Sequence, residues 1–142
     1  MSVLIDSSVT IYEVIQNIKD GKYVMPAFQR QYVWSMEQIE KLWDSILLDY
    51  PIATFLFWHV DDDNVTWDTY FCNFLSSVTF DSRKQADSVN YELSSIDVKL
   101  TDTAVLDGQQ RLTSLYLSLF GDAFIRQKHA RKKSGGGIVT KL

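Results

Sequence analysis

An α/β fold is predicted by three observations on this chain. Amphipathic helical stripes run over residues 10–19, 35–50 and 109–120. Between them lie β-prone apolar runs at 52–60 and 103–106, so helix and strand patterns interleave. The second run also passes through Gly108 and four polar residues, Asp107, Gln109, Gln110 and Arg111, directly into a helical stripe, and such strand-to-helix junctions are where α/β folds place their chemistry.

The first helix is expected from a cap at Ser8 or Thr10 through Lys19, with Ile11, Val14, Ile15 and Ile18 on one face and Gly21 just past the end. Residues 22–25 read as a short extended piece. Pro26 restricts Met25 to extended geometry and keeps this piece from being a central strand. Ser35, with Gln38 three residues on, forms a capping-box signature for a helix whose stripe is Ile39, Leu42, Trp43, Ile46 and Leu47, ending near Tyr50 before Pro51. Residues 52–60 are apolar at nearly every position, which predicts a strand covered on both faces. Asp61, Asp62, Asp63 and Asn64 then turn the chain. Within 65–98 only Tyr70 to Leu75 looks strand-like, and 82–90 is polar. A short buried strand follows at 103–106, and Leu112, Leu115, Tyr116, Leu119 and Phe120 face the core from the last helix before Gly121.

Composition sets the bounds. A chain of 142 residues, 46% hydrophobic and 23% charged, is long enough for one globular domain with a packed core. No apolar run nears the roughly 20 residues that span a bilayer, and the N-terminus lacks the basic and apolar regions of a signal peptide, so a cytoplasmic location is expected. The lone Cys72 excludes an internal disulfide and a cysteine-rich zinc site, and it reads as a small core residue. His59 and His129 stand in no metal-ligand spacing. A net charge of −4 argues against nucleic-acid binding by bulk electrostatics. A local basic patch does exist at Arg126, Lys128, His129, Arg131, Lys132 and Lys133, ahead of Gly135, Gly136 and Gly137; it reads either as a phosphate-contacting arm or as a solvated helix end running into a linker.

Two segments carry candidate chemistry. In the first, Asp107 to Arg111 sits where a helix start offers unpaired N–H groups and a positive dipole end to an anion. Gly108 permits positive φ or close backbone approach, and Arg111 adds a permanent cation suited to phosphate. Asp107 can hold a divalent cation such as Mg²⁺ through water, while Gln109 and Gln110 can position an attacking water or read a base edge. The plainer alternative is a helix start capped by Asp107, which leaves Gln109, Gln110 and Arg111 without a role. In the second segment, Met25 to Trp34, Gln29 and Arg30 offer a further phosphate or base contact and Tyr32 and Trp34 offer stacking platforms. Here too there is a plainer alternative: the aromatics staple the loop to the next helix, most of all Trp34 beside the Ser35 cap. A Walker loop is absent, since no Gly-Lys pair occurs. An acid-x-Lys triplet, Asp97-Val98-Lys99, with Asp81 or Asp87 upstream, matches a restriction-type carboxylate cluster only as chance triplets do.

Together, Pro26-Ala27-Phe28-Gln29-Arg30-Gln31-Tyr32-Val33-Trp34 and Leu106-Asp107-Gly108-Gln109-Gln110-Arg111-Leu112-Thr113 resemble the two hallmark motifs of the N-terminal domain of GmrS/GmrD-type restriction proteins. The resemblance runs from the first helix through Phe120. It implies a ParB/sulfiredoxin-like α/β (α+β) fold, a small mixed sheet flanked by helices with both motifs lining one cleft. It further implies binding and hydrolysis of GTP or ATP with Mg²⁺, in defence against phage or modified DNA, alongside a C-terminal nuclease domain or a partner subunit. Carried over position by position, Gln29, Arg30, Gly108 and Arg111 would bind phosphate, and Asp107, Gln109, Gln110 and Arg111 would form the catalytic set, with Asp107 also toward the metal. The expected organisation is a nucleotide-binding domain over 1–125, cut short and without a nuclease domain, followed by a basic and glycine-rich tail over 126–142. A second reading, from another class, is a non-catalytic DNA-binding or modification-sensing module in which the arginines grip phosphates and Tyr32 or Trp34 meets a base.

Overall fold

A computed structural model describes residues 9–27, 32–60, 66–81, 96, 101–127 and 138–141. Helix α1, Ile11–Lys19, begins at a capping box in which Thr10 and Glu13 bond each other's backbone N–H. It closes in a Schellman turn: Gly21 N–H donates to Ile18 and Lys22 N–H to Asn17, with Gly21 at φ +80°. Strand β1, Tyr23–Pro26, follows. Helix α2, Met36–Leu47, starts at the expected Ser35–Gln38 capping box but stops short of Tyr50. Its end is a second Schellman turn, Asp49 N–H to Ile46 and Tyr50 N–H to Ser45, with Asp49 in the glycine position at φ 58°. This backbone closure, rather than Pro51, terminates the helix.

The remaining elements are β2 at Leu56–His59, the single-turn α3 at Trp67–Tyr70, β3 at Phe71–Cys72, β4 at Ser77–Asp81, β5 at Thr103–Asp107, α4 at Gln109–Phe120, β6 at Asp122–Gln127 and β7 at Ile138–Lys141. They form two sheets, ordered β2-β5-β1-β3 and β4-β6-β7. The first is mixed, as expected: β1 runs parallel to β5, while β2 and β3 are antiparallel to their neighbours. In the second, β4 and β6 are parallel and β7 returns antiparallel to β6.

Three expectations are corrected. The run 52–60 is not a doubly covered central strand: only four of its residues are strand, at the sheet edge, with Leu56 55% and Trp58 38% exposed. Apolar composition alone does not distinguish a rim strand from a central one, and β5 takes the central place. Within 65–98, Tyr70 ends a helical turn, and the longer strand is β4. Strand β1, although it ends in Pro26, lies inside its sheet between β5 and β3; β6 runs across residue 125, and Ile138–Lys141 form β7. The basic residues 128–133, the glycines and the Asp97–Lys99 triplet lie outside the described residues.

Strand alternation sorts the core. Met25 and Val105 face Val14, Ile15, Ile18, Leu42, Leu112 and Leu115 of the helices, while Val24 and Ala104 face Trp67 on the other side. Leu117, on the far side of α4, packs with Tyr32, Val78 and Phe80 toward the second sheet. Helix α4 is thus held between both sheets, with Ser114 and Leu115 fully buried, so its first turn has a fixed position.

Candidate functional site at the start of α4

β1 and β5 are parallel neighbours, with Tyr23 opposite Thr103 and Val24 opposite Ala104. Their carboxyl ends therefore emerge side by side, which is where open α/β sheets bind ligands. From β1 the chain passes through Pro26 and Ala27 into the upstream motif, and from β5 it passes through Asp107 into α4. Two hydrogen bonds tie the motifs together: Gln110 Oε1 accepts from Val33 N–H at 3.1 Å, and the Tyr32 hydroxyl lies 2.8 Å from Ser114 Oγ.

At the corner itself, Gly108 occupies the N-cap in the left-handed region, φ 85°, and no side chain caps α4. Asp107 is accordingly not the helix cap that the sequence offered as the plain alternative. It is the last residue of β5, its side chain is exposed, and its Oδ1 accepts from Gly108 N–H at 2.8 Å. The first α4 bond runs from Leu112 N–H to Gly108 O, so the N–H groups of Gln109, Gln110 and Arg111 precede the helical ladder. No acidic residue stands in that first turn, and Arg111 adds positive charge to the positive dipole end.

The motif side chains have defined partners. Gln109 is buried, and its Nε2 donates to Val105 O at 2.8 Å, folding the helix back onto its own strand. Arg111 reaches the segment before β2: Nη1 donates to Ile52 O, Nη2 donates to Thr54 O at 2.9 Å, and the guanidinium lies 4.6 Å from the Phe55 ring centroid. That same ring fills the space beside Gly108, where a Cβ would fall 2.3 Å from Phe55 Cδ1.

Tyr32, expected as a stacking platform, is only 4% exposed and belongs to the core. Ser114 Oγ also bonds Gln110 O; burial pushes the pKa of Tyr32 up to about 12, partly opposed by the Ser114 bond. No base can stack on a ring so enclosed. Trp34 is half-buried and packs with Ile39 against the same cluster, the contact expected of a staple between the positions flanking the Ser35 cap. Gln29 and Arg30 lie outside the described residues. No three His, Cys, Asp or Glu side chains gather into a metal-holding group among the described residues, so the hard oxygen donor at this corner is Asp107.

Sequence reasoning missed Phe55 and Ser114. Phe55 carries no signal, being one aromatic in an apolar run, whereas Ser114 stands among α4 core positions four residues after Gln110, and a buried hydroxyl there needs a partner.

Among the described residues no helix is long and apolar enough to cross a membrane. An uncharacterized protein of Methanocaldococcus jannaschii, MJ0686, is 29% identical over 114 residues, covering 80% of this chain and 17% of that protein's length. The chain thus corresponds to a small part of that relative. Residues 11–139 match the family described as GmrSD restriction endonuclease, N-terminal domain. That match takes in α1, both motifs and every strand but the last two residues of β7, and so the chain belongs to the GmrSD restriction endonuclease N-terminal domains, a component of restriction systems.

Proposed function

We propose that this domain binds a nucleoside triphosphate at the start of α4 and hydrolyses it within a modification-dependent, phage-directed restriction protein. The observation that carries the reading is the corner itself. A left-handed glycine leads from the carboxyl end of a parallel strand into a helix whose first N–H groups no side chain caps, with an exposed carboxylate beside them. Backbone N–H groups aimed at one point, with the dipole behind them, stabilise a phosphate without any reorganisation. Arg30, four residues after the end of the neighbouring strand β1 in sequence, would add a cation. Asp107, alone or with water, would hold a Mg²⁺ shared with the phosphates, which supplies charge neutralisation when bound. The same carboxylate can accept a hydrogen bond from the attacking water and orient it. Because the matched segment is 17% of the length of the relative MJ0686, the nucleotide step would be coupled to a nuclease elsewhere in the assembly.

The test is thermal stability with and without GTP or ATP plus Mg²⁺, together with phosphate release, for the native chain, Arg30→Ala and Asp107→Asn. Binding of nucleotide at about 100 times Kd raises stability by roughly 2.7 kcal/mol. A midpoint rise weakened by Arg30→Ala, with release abolished by Asp107→Asn, is expected. No response to either nucleotide, with DNA binding that falls steeply with salt, would replace this reading with the DNA-binding module.

A further inference from the structure

The geometry points to Gln109, Gln110 and Arg111 as positioning residues, leaving the first-turn N–H groups of α4 and the Asp107 carboxylate to meet the substrate. This assignment rests on the nucleotide reading above and redistributes the roles within it. Each of the three side chains holds a different stretch of backbone. Gln109 holds the Val105 carbonyl of β5, Gln110 holds the Val33 N–H of the upstream motif, and Arg111 holds the Ile52 and Thr54 carbonyls before β2. Two segments distant in sequence, and the strand that leads into the helix, are thereby fixed to a single helical turn.

The residue types fit this task. An amide carries both donor and acceptor, and here Gln109 uses its NH₂ on a carbonyl while Gln110 uses its oxygen on an N–H. Arginine's planar fork spans the two carbonyls that flank Ala53, a residue held at φ 72°, and its flat face rests on Phe55. A lysine has the charge but not the fork. The carbonyl dipoles also account for a cation in the first turn of a helix, where the macrodipole alone disfavours it. Gly108 completes the arrangement, since Phe55, pinned under Arg111, leaves no room for a side chain there.

The test compares Arg111→Lys, Arg111→Ala, Phe55→Leu and the double variant Arg111→Lys/Phe55→Leu, by thermal midpoint without nucleotide and by steady-state phosphate release with Mg-GTP and Mg-ATP. A positioning role predicts that lysine rescues nothing. Both Arg111 variants lose about 10- to 100-fold in kcat with little change in KM. Their nucleotide-free midpoint falls by roughly 3–6 °C. The double variant is no worse than its poorer single, because both changes release the same segment. A direct phosphate contact predicts the reverse, and would overturn the inference: Arg111→Ala raises KM, Arg111→Lys restores it, the nucleotide-free midpoint stays at the native value, and the Phe55→Leu effect adds independently. If the native chain shows neither a nucleotide-dependent midpoint nor phosphate release, the nucleotide reading falls. The nucleotide-free midpoints and their coupling across the double variant then still decide whether Arg111 acts through Phe55 and its segment.

Discussion

Arg111 lies over the ring of Phe55 at 4.6 Å, and through that ring it governs what can stand at position 108. A cation placed by sequence reasoning toward phosphate is, in the fold, a brace across the segment leading into β2. The strand-to-helix corner is therefore shaped by a residue more than fifty positions away along the chain.

Gly108→Ala separates backbone strain from crowding when set beside Gly21→Ala. Both glycines have positive φ, but a Cβ at 21 meets nothing within 4 Å while one at 108 meets Phe55 Cδ1 at 2.3 Å. Gly21→Ala is expected to cost about 1 kcal/mol from the left-handed backbone alone. Gly108→Ala adds overpacking, for about 2–4 kcal/mol in total. Urea unfolding of both variants measures the difference, and equal midpoints would show that the Phe55 ring yields freely.

Ala53→Gly and Asp49→Gly are expected to stabilise the chain, since both residues sit at positive φ. Relief of left-handed strain of roughly 1–2 kcal/mol exceeds the added entropy of glycine in the unfolded chain, roughly 0.5–1 kcal/mol. The gain at Asp49 is the smaller one, because aspartate tolerates this region better than alanine does. A raised midpoint in differential scanning calorimetry checks both; a fall would mean that the Ala53 methyl packs usefully.

Alkaline pH should unfold the protein through Tyr32. Its pKa is raised to about 12 by burial, so its neutral form is favoured in the fold. Stability is fully present below the ordinary value near 10 and is lost as pH rises through the folded value. Tyr116, also pushed up by burial, adds in the same direction. Unfolding free energy measured against pH from 9 upward should fall less steeply in Tyr32→Phe than in the native chain.

Cys72 is buried, and burial pushes its thiol up from the ordinary range, so it should resist alkylation in the folded state. Iodoacetamide labelling followed by mass spectrometry should modify it only in denaturant. Rapid labelling of the native protein would place it outside the core that Met25 and Phe74 share with it.

Much of the helical frame was legible because capping and periodicity are local. Thr10 with Glu13, Ser35 with Gln38, and the stripes behind them specify α1 and α2 within a few residues of chain. The strand-to-helix corner was legible as well, since Gly108 after an apolar strand signals a helix start. What the motif side chains touch was not. Gln110 meets Val33 and Arg111 meets Ile52 and Thr54 only after the sheet has formed, and no spacing within one segment encodes such a meeting. The edge position of β2 was hidden for a similar reason, since strand order is a property of pairing and not of composition. Tyr32 stayed open between stacking and stapling because aromatics serve cores and ligands alike, and its buried partner Ser114 lies far along the chain.

The parallel pairing of β1 with β5 has a kinetic meaning. Tyr23 and Thr103 become neighbours only by closing a loop that holds most of the chain, and helix α4 cannot dock between its sheets until that closure is made. Loop closure on this scale is entropically costly before its contacts repay it, and such topologies fold slowly. A chain still emerging from the ribosome short of residue 103 would carry the upstream motif with nothing to join it to. The corner at Gly108 is therefore among the last features to form and, in any partial unfolding that separates β5 from β1, among the first to be lost.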